Sequence, residues 1–194
     1  MPAVQAIVGL GNPGPQYATT RHNAGALWVQ HLAERHFATL RPERRFHGLY
    51  GRIQVGGRDI HLLFPQTYMN RSGLAVQALV NFYRLPPESL LVAHDELDIQ
   101  PGEVRLKAGG GHGGHNGLRD IIKALGDKRE FGRLRLGIGH PGDKNRVADY
   151  VLHPFGKTER TQLDQVFDSI DPLLPDIVRG DWSKPMNILH SLRP

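Results

Sequence analysis

The stretch from Ile7 to Gly25, I-V-G-L-G-N-P-G-P-Q-Y-A-T-T-R-H-N-A-G, constrains this chain more than any other. An apolar, β-branched run from Val4 to Leu10 reads as a buried strand, and it enters a loop punctuated by Gly9, Gly11, Pro13, Gly14 and Pro15. The glycines spell G-x-G-x-x-G, the spacing of a dinucleotide fingerprint. That reading fails on Pro15. The third glycine of the fingerprint lies in a helix that has just begun, whereas a following proline pushes Gly14 away from helical dihedrals. Nor does the next strand candidate end in the acidic residue that would hold a ribose. The expectation is a rigid loop at the end of a buried strand, presenting Asn12, Tyr17 and His22 before a helix begins.

Further along, Asn23 is placed to cap a helix running to about Phe37, with Ala24, Leu27, Trp28, Leu32 and Ala33 in one stripe. Phe46–Val55 and Arg58–Phe64 flank Gly56-Gly57 as a hairpin ended by Pro65. Ser72 is expected to cap a helix that faces inward through Leu74, Ala78, Leu79 and Phe82 and stops at Pro86-Pro87. Leu90–Ala93 reads as a short buried strand running into His94, Asp95 and Glu96; Glu103–Ala108 and Leu134–Ile138 read as strands, and Leu118–Leu125 as a helix. The chain after H-P-G-D-K-N is helical in pattern, interrupted by Pro172, Pro175 and Pro185. Strands alternating with helices, plus one hairpin, predict an α/β fold: a mixed, twisted sheet with helices on both faces. No repeat or linker divides the sequence, so residues 1–194 are expected to form one domain, with 39% hydrophobic residues to build its core.

Composition narrows the setting. No run of about 18 apolar residues exists to span a membrane. M-P-A-V-Q has no basic segment ahead of its short apolar run, which argues against a signal peptide. With no cysteine there is neither disulfide nor thiolate nucleophile, and the expected compartment is the cytoplasm. The net charge of +5 is unevenly spread: Glu103 to Arg135 holds eight Lys or Arg against four acids, whereas Val147 onward holds five against seven. A solvated basic face and a patch that meets phosphates both fit such a segment.

Polar residues collect where the predicted strands end. Asn12 follows the first strand, Met69 and Asn70 follow the hairpin, and Asp95 follows an apolar strand that leaves its charge needing a partner, for which His22 is the natural candidate. Asn12 could serve only as a turn residue, and Asn116 only as a helix cap. No G-x-S-x-G elbow offers a nucleophilic serine. The glycine run from Gly109 to Gly117 admits three readings. A metal site of His112, His115 and Asp95 lacks a compact third ligand from the run itself, so no metal is expected. Alternatively, the glycines serve tight turns with His as a cap. Or they form a strip bare of side chains that a nucleic-acid backbone can approach, which the neighbouring Arg105, Lys107, Arg119 and Arg135 favour.

These blocks carry a family resemblance. G-L-G-N-P-G-x-x-Y-x-x-T-R-H-N-A-G, T-Y-M-N-R-S-G, H-D-E-L-D, P-G-x-x-R-L-K-x-G-G-G-H-G-G-H-N-G-L-R-D and R-L-R-L-G-I-G-H-P-G run in order from Gly9 to Gly142, with M-N-I-L-H near the end. The sequence resembles the bacterial peptidyl-tRNA hydrolases. Only Gln100 and Ile188 differ slightly from that pattern, away from the chemistry. The resemblance implies a monomeric, cofactor-free and metal-free cytoplasmic esterase that splits peptide from tRNA. It implies His22 as catalytic base and Asp95 as its partner. Asn12, Tyr17, Met69, Asn70 and Asn116 would line the substrate cleft, and Lys107 and Arg135 would hold the tRNA 5′-phosphate. The chemistry agrees: an ester needs an activated water, imidazole accepts a proton near neutral pH, and amides donate to a developing oxyanion. The alternative is a non-catalytic RNA-binding protein on the same fold, against which the retained His22 and Asp95 speak. A metal-dependent hydrolase is the weaker rival.

Overall fold

A computed structural model describes residues 1–194. The strands are β1 (Ala6–Gly9), β2 (Arg41–Glu43), β3 (Gly48–Val55), β4 (Arg58–Pro65), β5 (Leu90–Glu96), β6 (Val104–Ala108) and β7 (Gly132–Gly137). The helices are α1 (Ala24–Arg35), α2 (Ser72–Tyr83), α3 (Asn116–Ala124), α4 (Val147–Val151), α5 (Lys157–Ile170), α6 (Leu174–Arg179) and α7 (Ser183–Leu189). The strands form one sheet in the order β2-β3-β4-β1-β5-β7-β6. Its middle (β4, β1, β5 and β7) is parallel, while β2, β3 and β6 run antiparallel to their neighbours. Parallel strands are buried on both sides and read as unbroken apolar runs, as A-I-V-G and L-L-V-A do here. One core packs α1 and the C-terminal helices on one face; a second packs α2 and α3 on the other. The mixed sheet with two helical layers is the architecture the sequence predicted. No helix is long and apolar enough to cross a membrane.

The parallel centre sends four strands to one edge, where the loops after β1, β4, β5 and β7 emerge. Two glycines set what happens there. A Cβ on Gly9 would strike the Gly25 carbonyl, and one on Gly25 the Ala93 carbonyl, so α1 starts in direct contact with β1 and β5. His22, in the 3₁₀ turn Arg21–Asn23 just ahead of α1, is thereby brought down beside β5.

Local expectations were amended in four places. Asn23 occupies the cap position of α1, but its side chain leaves the helix to bridge the backbone of Asn12, accepting from its N–H at 2.9 Å and donating to its carbonyl at 3.0 Å. Ser72 is the first residue of α2 rather than its cap, and its hydroxyl donates to the Met69 carbonyl at 2.7 Å. The buried face of α2 comprises Ala75, Val76, Leu79 and Val80, with Gly73 close against the Asp120 carbonyl and Ala124 of α3, so Leu74 and Phe82 face outward. Pro172 and Pro175 begin helical turns and Pro185 lies in the first turn of α7, where a missing N–H costs nothing.

Candidate active site

Strand β5 continues through His94 and Asp95 to Glu96, so Asp95 projects from the end of a buried strand. Its carboxylate is 4% exposed and accepts two hydrogen bonds. His22 Nδ1 stands 2.8 Å from Oδ2, and His115 Nε2 stands 2.8 Å from Oδ1. The tautomers follow from the other ring nitrogens. His115 Nδ1 accepts from the N–H groups of Gly117 and Leu118 at 3.1 and 3.3 Å, capping α3, so its proton is on Nε2 and is given to Asp95. His22 donates from Nδ1, which leaves its Nε2 as a free base.

Electrostatics support this arrangement. Burial pulls the His22 imidazole down, but the Asp95 charge and hydrogen bond outweigh it and raise its pKa above the ordinary value. Burial pushes Asp95 up, and the two histidines more than reverse that, holding the carboxyl well below the usual range. His94 lies behind the pair and donates from Nδ1 to the Asp95 carbonyl at 2.8 Å. Burial and the neighbouring His115 push its pKa down to about 3, so His94 is neutral.

Two adjoining cavities open in front of His22. One, of about 390 Å³, is lined by His22, Asp95, Glu96, His115, Asn116 and Lys144 among others. The other, of about 240 Å³, is lined by Asn12, Tyr68, Met69, Asn70 and Asn116, with Val151 and Leu152 opposite. The expected cleft residues thus meet around His22, except that Tyr17 stands behind Tyr68, edge to face at 6.3 Å. Asn12 is held most firmly: its Oδ1 accepts from the Met69 N–H at 2.7 Å, so its amide N–H₂ is left for the cleft. Asn116 accepts from Arg119 at 3.0 Å and is exposed; Asn70 is exposed as well. The wall formed by Val147, Ala148, Val151 and Leu152 was read only as helical pattern, since nothing in its composition marks a site.

Of the three readings of the glycine run, the turn-and-cap reading describes the local structure: Gly109, Gly110, Gly113 and Gly114 have positive φ, and His115 caps α3. His112 does not join Asp95; its Nδ1 accepts from the Gly114 N–H at 2.9 Å. The donor atoms that converge are those of His22, Asp95 and His115, all within 4.8 Å of one another, a set that could hold a cation. Their hydrogen bonds, however, already pair every one of the converging atoms.

A basic cavity of about 250 Å³ shares Glu96, His112 and Gly113 with the cleft and is lined by Lys107, Arg133 and Arg135. Lys107 is exposed, and Arg135 Nε is paired with Glu96 at 2.9 Å.

Residues 6–194 match the family profile described as peptidyl-tRNA hydrolase. The chain belongs to the peptidyl-tRNA hydrolase family. It is 57% identical to the peptidyl-tRNA hydrolase of Hahella chejuensis over 98% of this chain and 97% of that one, and 58% identical to that of Marinobacter nauticus over 97% and 95%. The crystal structure of peptidyl-tRNA hydrolase from Acinetobacter baumannii superposes with a TM-score of 0.94 at 48% identity, covering 98% of this chain and 96% of that one. Membership in the peptidyl-tRNA hydrolase family and the likeness of fold therefore extend over nearly the whole chain, the cleft and the basic cavity included.

Proposed function

We infer that the chain hydrolyses the ester bond between peptide and tRNA in peptidyl-tRNA, with residues 1–194 acting as one domain. The observation that carries this reading is the free His22 Nε2 at the mouth of a cleft, on an imidazole oriented by the buried Asp95. His22 Nε2 takes a proton from water as the water oxygen attacks the ester carbonyl. Asp95 stabilises the imidazolium that forms. The carbonyl oxygen becomes an oxyanion facing the amide N–H₂ of Asn12, whose orientation is fixed beforehand by Met69. Collapse of the tetrahedral intermediate expels the ribose oxygen, which recovers the proton from His22. Asn70, Asn116, Tyr17 and Met69 shape the seat of the peptide and the tRNA end. A free ammonium would be costly to desolvate beside these amides, whereas a peptide amide can pair with them, which favours N-blocked substrates.

In the same reading Lys107 and Arg135 hold the 5′-phosphate, which the wall their cavity shares with the cleft supports. The protein is proposed to work as a monomer in the cytoplasm, where tRNA is recycled. Release of peptide from purified N-acetyl-aminoacyl-tRNA tests the activity; retention of the ester over hours at micromolar enzyme would leave an RNA-binding role instead. Chelators should leave turnover intact, because the lone pairs of His115 are already used. Loss with EDTA that a divalent ion restores, with tRNA folding controlled, would overturn the water-and-imidazole mechanism.

A further inference from the structure

Arg21 immediately precedes His22, but its side chain reaches α4 and α5 instead of the cavities in front of the imidazole. Nη1 donates to the Tyr150 carbonyl at 3.0 Å, and Nη2 pairs with Glu159 Oε1 at 3.0 Å. The guanidinium carbon also lies 4.0 Å from the centre of the Tyr150 ring. The side chain is 14% exposed, and its Nε is buried with no partner. A group that gives up its water for an incomplete set of bonds is costly and needs a reason beyond stability.

The reason lies in α4. This helix has 5 residues, of which only Val151 is buried. A helix that short is marginal by itself in water and takes its place from what it is tied to. Backbone bonds knit the chain beyond it to the chain before His22. The Arg21 N–H donates to the His153 carbonyl and the Phe155 N–H to the Thr19 carbonyl, each at 3.1 Å, with a bridge between Thr20 and Pro154. Within the helix, the long-range hydrogen bonds are all made by Tyr150. Its carbonyl is held by Arg21, and its hydroxyl donates to the Ile138 carbonyl at 2.5 Å, just past β7. Glu159 fixes the guanidinium from the other side, its Oε1 also accepting from the Gly156 N–H at 2.9 Å. Val147, Ala148 and Val151 of the same helix line the cleft with His22.

We propose that Arg21 is a positioning residue for the reaction: it clamps α4 through Tyr150 and so holds the wall of Val147, Ala148 and Val151 at a fixed place opposite His22. The planar fork of a guanidinium suits the task, since it bonds a carbonyl and a carboxylate while stacking on a ring. Base and wall thereby share one anchor, because the residue that grips the wall is the neighbour of the base. The proposal rests on reading the cleft as the seat of peptidyl-tRNA. Arg21 acts only through α4, so its loss should loosen the seat and leave the base as it was.

Two measurements on the full chain test this. Amide hydrogen exchange without substrate reads the anchor. In Arg21→Met, which keeps the apolar stem, exchange of the amides from Val151 to His153 should rise by about tenfold or more, while β5 keeps its protection. Steady-state kinetics on N-acetyl-aminoacyl-tRNA read the consequence. KM should rise about 5- to 20-fold, as loss of charge-assisted bonds implies, with kcat changed by less than about threefold and the pH limb of kcat/KM in place. Arg21→Lys, which keeps a charge for Glu159 but loses the fork, should fall between. If Arg21→Met proves unfolded, Tyr150→Phe and Glu159→Gln each cut one strand of the same clamp and should raise both readouts by less; no rise in either variant would discard the clamp. Unchanged exchange in α4, or exchange that rises through β5 as well, would make Arg21 an ordinary structural residue. A looser α4 with an unaltered KM would deny the clamp a part in the reaction, and a fall in kcat with a moved pH limb would place the effect on His22 instead. Native protein that releases no peptide would overturn the reading of the cleft and with it the role in the reaction, while the exchange still decides whether Arg21 holds α4.

Discussion

Asp95 Oδ1 and His115 Nε2 stand 2.8 Å apart, on the opposite side of the carboxylate from His22. The bond joins the His22–Asp95 pair to the start of α3, because the same imidazole caps that helix through Nδ1. His115→Ala should therefore act on two observables at once. Loss of the cap should cost about 1 kcal/mol of stability, read as a lower denaturation midpoint. Loss of the donor leaves more of the Asp95 charge to be felt by His22, so the ionisation that governs kcat/KM should move to higher pH. A profile that stays in place would show that His115 serves the helix alone.

The pair itself was legible in the sequence. A charge at the end of an apolar strand needs a partner, and the loop after β1 supplies an imidazole. His115 was legible only as a cap or a metal ligand. Its second role depends on the register that brings the glycine loop over β5, which no local pattern carries. The inward face of α2 differs from the expected one for a similar reason: the close approach of Gly73 to α3 is a tertiary contact, and apolar spacing alone does not fix the phase of the helix. The short β2 was invisible in R-P-E, three polar or proline residues that pair only because the β3–β4 hairpin offers an open edge.

Salt dependence should separate the basic residues. Lys107→Ala should reduce the slope of log K against log salt for tRNA binding by roughly one unit. Arg135→Ala should weaken binding too, but it also frees the Glu96 carboxylate, and Glu96→Gln in the same chain should restore part of the loss. Turnover of a minimal ester lacking the tRNA body is the control for Lys107→Ala. Equal damage on that ester would assign Lys107 to fold or chemistry.

Two buried histidines should make the fold sensitive to acid. His94 is held neutral by burial with a pKa of about 3, and His61, stacked on Tyr83 at 4.1 Å, is pushed to about 4 by burial and Arg52. Both titrate near 6.5 once unfolded, so between those values the unfolded chain binds more protons. Their contribution is complete above about pH 6.5 and is lost as pH falls toward 3 to 4. Melting temperature should drop steadily over that window, and His61→Gln should flatten part of the slope. A melting temperature that holds level from pH 7 to pH 4 would contradict this account.

His22 and Asp95 should behave as one unit. His22→Ala should lower kcat by about 10²–10⁴ and leave tRNA affinity nearly unchanged, since it removes the base and not the seat. Asp95→Asn should also cut turnover: an amide that turns its N–H₂ toward Nδ1 selects the wrong tautomer, and no amide stabilises the imidazolium. In the native enzyme kcat/KM should rise with pH through one ionisation, placed above the ordinary imidazole value because the Asp95 charge outweighs burial. Replacing the carboxylate leaves the burial and removes the charge, so in Asp95→Asn the same limb should move below the ordinary value. The two substitutions break one device, so the double variant should lose far less than the product of the single losses. The measurement is a pH–rate series on native and Asp95→Asn enzyme, with kcat for both singles and the double and folding followed by circular dichroism. Losses that multiply cleanly, or a limb that does not move, would uncouple Asp95 from His22 and require another source for the base.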